Sequence, residues 1–234
     1  MSIINILIML FSSKYIMKRL KTHYQTNSTF ITYLALSLLY ILISEITNLL
    51  LDVESLLHIF FSEFLTTKQL NEYFEFQDKW HWTSFFYTPL IILIKTSVIS
   101  LILYIGLFLL SKETKYNQLW NATIKAEFIF LLVPIFKIIW FYFFQTNYDL
   151  NDIQNFYPLS ALNIVGYKGL VTWFIYPFQI LNLFELIYII YLGFQIGKLT
   201  HTNADYGLKI VGLSYVPALV LWVATVMFFT LNYS

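Results

Sequence analysis

The sequence predicts an all-α membrane protein with five transmembrane helices, an N-terminal interfacial helix and amphipathic helices in its outer loops. Of its 234 residues, 59% are hydrophobic and only 12% are charged, whereas an ordinary soluble domain carries about 25% charged residues. Five apolar runs approach the roughly 20 residues that a helix needs to cross a bilayer. No linker separates a soluble part, so residues 1–234 are predicted to form a single integral membrane domain.

Residues 1–29 are predicted to form an amphipathic basic segment. The apolar run MSIINILIMLF at residues 1–11 is too short to span a bilayer. Lys14, Lys18 and Lys21 share one face of a helix and are expected to contact anionic lipid headgroups. A cleaved signal peptide is the alternative, but there the basic residues precede the apolar run, whereas here they follow it.

The predicted transmembrane helices are the five apolar runs in chain order. The third and fifth contain Pro134 and Pro217, which are expected to kink them. Gly193 and Gly197 form a GxxxG step in the fourth, which favours close packing within the bundle over dimerisation. The five predicted spans are residues 30–51, 88–110, 126–144, 180–197 and 210–231.

Lysine and arginine residues predict the orientation. The N-terminal segment and the loops after the second and fourth spans hold nine of them, and the opposite loops hold three. By the positive-inside rule, the N-terminus is cytoplasmic and the C-terminus lies outside. The composition, rich in Ile, Asn, Tyr, Phe and Lys, indicates a bacterial inner membrane protein. Its expected partners are the lipid bilayer and either another membrane protein or a second copy.

The two outer loops are predicted to be helical. Residues 52–87 form an acidic loop with six carboxylates and two lysines. Apolar residues at helical spacing predict an amphipathic helix near residues 54–64, and a second is expected over 66–80, where Thr66 and Gln69 have capping-box spacing. In the next outer loop, Pro158 and Gly166 are expected to begin and end a short helix.

Ionisable residues inside the predicted spans are the main candidates for function. Counted at about 1.5 Å per residue, they fall between the middle of the membrane and its outer face. An unpaired charge there costs about 2.5 to 3.5 kcal/mol, so acids and bases are expected to pair. The pattern fits a water-filled site for a proton or substrate, or a salt-bridge network that fixes helix order. The candidate cluster comprises Glu45, Asn48, Lys95, Lys137, Gln179, Asn182 and Glu185, with Glu127 at the cytoplasmic edge of the third span.

Other chemistry finds little support in the sequence. There is no cysteine, and the four histidines lie outside the spans without paired ligand spacing, so neither a metal site nor a cofactor is expected. His81 is interpreted as a solvated residue of an interfacial aromatic belt. No nucleophile with an adjacent base is visible, which predicts a non-enzymatic protein. The net charge of +1 gives no reason to expect a nucleic-acid partner.

The C-terminal half of the chain resembles a known family. The stretch NLFELIYIIYLGFQIGKLTHTNADYGLKIVGLSYVPALVLW, with Leu192 and Gly193 leading into a short basic loop and a final helix, is similar to the bacterial branch of the Yip (Ypt-interacting protein) family. The resemblance covers about residues 120–229. It implies a five-helix, non-enzymatic membrane protein.

Two functional hypotheses follow. The first is a Yip-like scaffold or partner-binding subunit that acts in membrane organisation or trafficking. The alternative is a transporter, or the membrane subunit of one, that uses the Lys/Glu cluster. Inverted repeats and broken helices, which commonly accompany transport sites, are not expected from this sequence.

Overall fold

The computed structural model describes residues 28–233, and this part of the chain is helical throughout, without β-strands. The basic segment predicted over residues 1–29, with Lys14, Lys18 and Lys21, therefore lies almost entirely outside the described residues. The helices are α1 (Ser28–Leu50), α2 (Val53–Ser62), α3 (Thr67–Trp80), α4 (Ser84–Leu109), α5 (Tyr116–Glu127), α6 (Leu132–Phe143), α7 (Leu150–Asn155), α8 (Ala161–Val165), α9 (Thr172–Ile180), α10 (Leu183–Leu199) and α11 (Ala204–Tyr233).

Four helical segments of the described chain are long and apolar enough to cross a membrane. They are Ser28–Leu50, Thr67–Leu109, Tyr116–Phe143 and Ala204–Tyr233. The first, second and last overlap three of the predicted spans. The predicted all-α fold is therefore confirmed, and the four long apolar helices fit an integral membrane protein.

The third predicted span begins ten residues earlier than the sequence suggested. Helix α5 runs into α6 through a 3-10 turn at Phe128–Leu131, which makes one helical segment of 28 residues. The turn has a local cause, because Pro134 has no N–H to donate to the carbonyl four residues before it. Glu127 consequently lies near the middle of this segment and not at its edge.

The fourth predicted span, residues 180–197, is not one uninterrupted helix. Helix α9 ends at Ile180, α10 begins at Leu183, and α10 has 17 residues. The sequence predicted one continuous helix here because neither residue at the interruption, Leu181 or Asn182, is a proline or a glycine. A broken helix was not expected from the sequence.

The loop between the first two predicted spans is helical, as predicted. Thr66 and Gln69 form the capping box of α3, and α3 continues through the 3-10 turn His81–Thr83 into α4. Helices α2 and α3 contact each other through aromatic rings, with Phe61 and Tyr73 centroids 4.9 Å apart.

The next loop carries the short helices α7 and α8. Asp149 and Asp152 form a capping box at the start of α7. Helix α8 ends at Gly166 as predicted, where φ is +81°, but it begins at Ala161 and not at Pro158. Helix α7 contacts α2, so these loop helices together form one end of the bundle, called here the capped end.

The tightest packing lies between α10 and α11. A Cβ added to Gly207 would overlap the carbonyl oxygen of Gly193 and approach the nitrogen of Gly197 to 2.7 Å. The glycines of the GxxxG step therefore face α11 of the same chain. Fully buried Tyr188 and Leu192 lie in the core that these two helices share with α4 and α5.

Helix α1 packs against α4 and α5. The hydroxyl of Tyr33 donates to the carbonyl of Pro89 at 2.8 Å, and Asn121 donates to Thr29. Leu36 is completely buried in this contact. The first turns of α1 are thus held by two polar contacts, followed by the apolar contact of Leu36.

Candidate functional site: a polar cluster beside a broken helix

The break between α9 and α10 is held by Asn182. Its side-chain oxygen accepts a hydrogen bond from the amide of Glu185 at 2.7 Å, which caps α10. Its Nδ2 donates to the carbonyls of Gln179 and Ile180 at 2.8 and 3.0 Å. One asparagine thus supplies hydrogen-bond partners to backbone groups at the end of α9 and at the start of α10. These partners are needed because α9 contains Pro177 and both helix ends lie in apolar surroundings.

The chain before α8 completes the break. The amide of Ala161 donates to the carbonyl of Leu181 at 2.8 Å, and the amide of Leu183 donates to the carbonyl of Leu159 at 3.1 Å. Ser160 lies opposite Asn182 as an isolated antiparallel bridge. Non-helical backbone at membrane depth persists only where the protein satisfies its polar groups. These bonds therefore fix the break as part of the fold.

Helices α9 and α10 both run antiparallel along α11. Gly193 and Gly197 lie against Gly207. Further along α11, Tyr215 bonds to Glu185 in α10, and Trp222 donates to the hydroxyl of Tyr176 in α9 at 2.8 Å. From α10 to α9, the contacted residues of α11 move steadily toward its C-terminal end. The two helices therefore follow one path along α11.

Two glutamates are buried close to this break. Glu185 is 7% exposed and accepts a hydrogen bond from the hydroxyl of Tyr215 at 2.7 Å. Glu127 is 2% exposed, and its Oε2 accepts from Lys95 at 2.8 Å. The Lys95 amine also lies 4.3 Å from the ring centroid of Phe130, a cation–π contact that stabilises the charged amine.

Lys95, Glu127 and Glu185 form one electrostatic group, called here the central cluster. Glu185 interacts with both Lys95 and Glu127. Each member lies near the middle of a long helical path: Lys95 in the 26-residue α4, Glu127 in the 28-residue α5–α6 segment, and Glu185 opposite Tyr215 of the 30-residue α11. The charges thus meet at mid-depth of the helices.

Tyrosine hydroxyls surround the carboxylates. Tyr157, in the loop before α8, has its pKa raised to about 12, first by burial and then by Glu185, Tyr176 and Glu127. Tyr40 of α1 interacts with Glu127 and Tyr157. The buried hydroxyl of Tyr188 interacts with Glu127, and neither this hydroxyl nor Glu127 Oε1 has another hydrogen-bond partner within the described residues.

The central cluster is short of one positive charge. It contains two carboxylates and one ammonium group, and within residues 28–233 no second cation pairs with either acid. Unpaired buried charge costs several kcal/mol in a medium of low dielectric constant. A bound proton or small cation would balance the charge, and that is the chemistry this arrangement offers.

The remaining predicted cluster residues lie elsewhere. The amine of Lys137 donates to the carbonyl of Ile153 in α7 at 2.7 Å and not to a carboxylate. Glu45 lies 3.4 Å from His81 at the capped end, a pair that is ionic only when the histidine is protonated. Asn48 is exposed, and Gln179 contributes its backbone carbonyl to Asn182.

Sequence reasoning missed the aromatic half of the cluster and misplaced Glu127. The span was predicted to begin at Ala126 because α5 is rich in polar residues such as Asn117, Gln118 and Asn121. A signal was present, since Leu119, Ala122 and Ala126 recur at helical spacing and are buried. Nothing in the sequence indicated which tyrosines would face the acids.

No family model, curated protein or solved structure matches this chain. The resemblance to the Yip family stays a prediction. Within the described residues, no group of three or more histidines or carboxylates is arranged to hold a metal ion.

Proposed function

We propose that this chain is a membrane transporter, or the membrane subunit of one, that binds a proton or a small cation at Glu127 and Glu185. The uncompensated negative charge of the central cluster carries this proposal. In the bilayer, ionisable residues that face the interior of a bundle commonly mark ion and proton pathways. A helix broken at mid-depth beside the charges is also typical of transport sites.

The proposal includes five crossings, with α9 and α10 together as the fourth. Three observations support this topology: both helices run along α11, the order of their contacts is continuous, and the backbone groups at the break are hydrogen-bonded. With five crossings, the N-terminus is cytoplasmic, the capped end and the C-terminus face outside, and the bacterial inner membrane is the location the basic loops favour.

Each residue of the cluster then has a role. Lys95 holds Glu127 in place and balances its charge. Glu185 takes up the proton, and Tyr215 orients the carboxyl through its hydroxyl. With one proton bound, the cluster is neutral, so moving it through a low-dielectric region costs less than moving the unloaded, negatively charged form.

Charge movement after a pH jump tests this function. Proteoliposomes adsorbed on a solid-supported membrane should give a transient current on acidification, since protons bind inside the protein. Glu127→Gln and Glu185→Gln should each reduce it at least severalfold, whereas Glu72→Gln, on an exposed residue of α3, should leave it unchanged. Folded Glu127→Gln and Glu185→Gln proteins with wild-type currents would reject the proposal.

A second proposal is that the protein is a scaffold that binds a partner in membrane organisation or trafficking. The exposed hairpin of α2 and α3 favours it. Helix α2 has no buried residue, and α3 buries only Leu70. Phe64 and Phe76 are 70% and 63% exposed, and aromatic residues of this kind are common in interfaces. The test is co-purification in mild detergent. A stable membrane partner should be recovered with the wild type and with Asn71→Ser, and should be lost with Phe76→Ser.

A further inference from the structure

A groove between α6 and the chain around α7 and α8 is separate from the central cluster. Its volume is about 580 Å³, which suits a small amphiphilic ligand. One wall consists of Phe136, Ile139 and Trp140 of α6, and the other includes Leu159 and Leu162. We call it the α6–α8 groove.

The groove extends from the level of the hydrocarbon into the polar loop. Phe136, Ile139 and Trp140 belong to the segment Tyr116–Phe143, which is apolar enough to cross the membrane. Gln145 and Asn163 line the groove beyond the end of that segment. A ligand that fits therefore has an apolar chain beside α6 and a polar group beside α7 and α8.

The polar end of the groove is acidic. Asp152 is the one carboxylate among the lining residues, all of which are described, and no lysine, arginine or histidine lines the groove. Its Oδ1 accepts from the hydroxyl of Tyr167 at 2.6 Å, and its Oδ2 accepts from the amide of Asp149 at 3.2 Å. Burial and this hydrogen bond raise the pKa of Tyr167, so the phenol stays a neutral donor. A carboxylate has about four acceptor sites, so capacity remains for a further donor.

We propose that the α6–α8 groove binds one phospholipid with a primary ammonium headgroup, as in phosphatidylethanolamine, with its acyl chain along α6 and its ammonium at Asp152. Charge complementarity selects this occupant over an anionic lipid, because the groove offers a carboxylate and no cation. Hydrogen bonding selects it over a choline lipid, because a quaternary ammonium has no N–H to donate. The side chain of Asn163, which makes no hydrogen bond of its own within the described residues, is available to the phosphate.

Tryptophan quenching by brominated lipids tests the site in the full-length protein. Trp140 is 41% exposed and lines the groove, so bromine on a bound acyl chain should quench it. In phosphatidylcholine nanodiscs, brominated phosphatidylethanolamine should reach half-maximal quenching at about a fivefold lower mole fraction than brominated phosphatidylglycerol, the scale of one partly exposed ion pair. Trp140→Phe should remove this selective component and leave the unselective quenching of other tryptophans.

Three variants separate the lipid site from general lipid contact. Asp152→Asn should abolish the headgroup preference, Asn163→Leu should remove the polar contact to the phosphate and weaken binding, and Asp78→Asn, on an exposed residue of α3, should behave as wild type. Equal quenching by the two lipids, a preference for phosphatidylglycerol, or a preference that survives Asp152→Asn would each overturn the proposal. If Asp152→Asn fails to fold, the comparison of wild type with Trp140→Phe still decides it.

Discussion

Two lysines in apolar helices, Lys95 and Lys137, are accommodated by different chemistry. The Lys95 amine bonds to a buried carboxylate and lies over an aromatic ring. The Lys137 amine bonds to the backbone carbonyl of Ile153 in a loop helix. Both solutions satisfy the same requirement, because a charged amine at membrane depth needs polar partners. The sequence establishes the requirement, and the fold decides which partner meets it.

The pair formed by Lys95, whose side chain is 44% exposed, and the buried Glu127 yields a stability prediction at this scale. Lys95→Met leaves the Glu127 carboxylate without its cation, so the free energy of unfolding should fall by about 1 to 3 kcal/mol, less than for a fully buried pair because the lysine is partly exposed. Adding Glu127→Gln should recover most of the loss, because both charges are then absent. Reversible unfolding in mixed detergent micelles measures both changes.

An exposed pair of the same kind provides the control for this prediction. Lys68 and Glu72 lie 3.8 Å apart on α3 with most of their surface exposed. Lys68→Met should therefore change stability by less than about 1 kcal/mol. Equal losses for Lys68→Met and Lys95→Met would show that burial of Glu127 contributes nothing.

At the scale of elements, the break between α9 and α10 determines where Glu185 lies. A continuous helix starting at residue 180 would place this residue near the outer end of a span. Because α9 extends the same path along α11, Glu185 moves to mid-depth, opposite Tyr215. In that position its carboxylate interacts with Lys95 and Glu127, so the cluster lies directly beside the break.

Glycine packing between α10 and α11 gives the prediction for this scale. In Gly207→Ala, the new Cβ would overlap the carbonyl oxygen of Gly193, so the helices must separate and stability should fall by about 1 to 3 kcal/mol. Gly212→Ala, in the same helix with open space around it, should stabilise by about 0.5 to 1 kcal/mol. Thermal unfolding in one detergent compares the two variants.

Comparing the stabilities of Gly207→Ala and Gly212→Ala separates the steric overlap at Gly207 from the general effect of replacing a helical glycine by alanine. Both substitutions raise the propensity of α11 equally, so a stabilised Gly207→Ala protein would disprove the close approach of α10 and α11. Loss of stability in both variants would point to an unexpected contact at Gly212.

At the scale of the whole molecule, the structure supports one bundle with a capped end. Helices α2, α3, α7 and α8 gather there, and Tyr148 donates to the carbonyl of Leu51 at 3.4 Å across the loops. In the proposed topology this end faces outside the cell. The number of crossings decides whether the end of α11 lies on the same side.

The absence of cysteine from the sequence allows a direct test of topology. Single substitutions Glu72→Cys, Glu113→Cys and Asn232→Cys each place a thiol on an exposed residue. In intact cells, a membrane-impermeant maleimide should label positions 72 and 232 and should label 113 only after permeabilisation. Labelling of 72 but not 232 would show an odd number of crossings between them, where the five-crossing topology has four, and would contradict that topology.

The sequence by itself determined the membrane class, the approximate positions of the long helices, the capping box of α3 and the requirement that intramembrane charges be paired. These follow from hydrophobicity and short-range patterns, which act over a few neighbouring residues. Only the tertiary structure decided that Glu127 and Glu185 share one site with Lys95, that Lys137 lies apart, and that a helix breaks at Leu181 and Asn182. Those features depend on partners sixteen or more residues away in the chain, as when Lys137 bonds to Ile153 or Ala161 to Leu181, and no local pattern records which distant groups will meet.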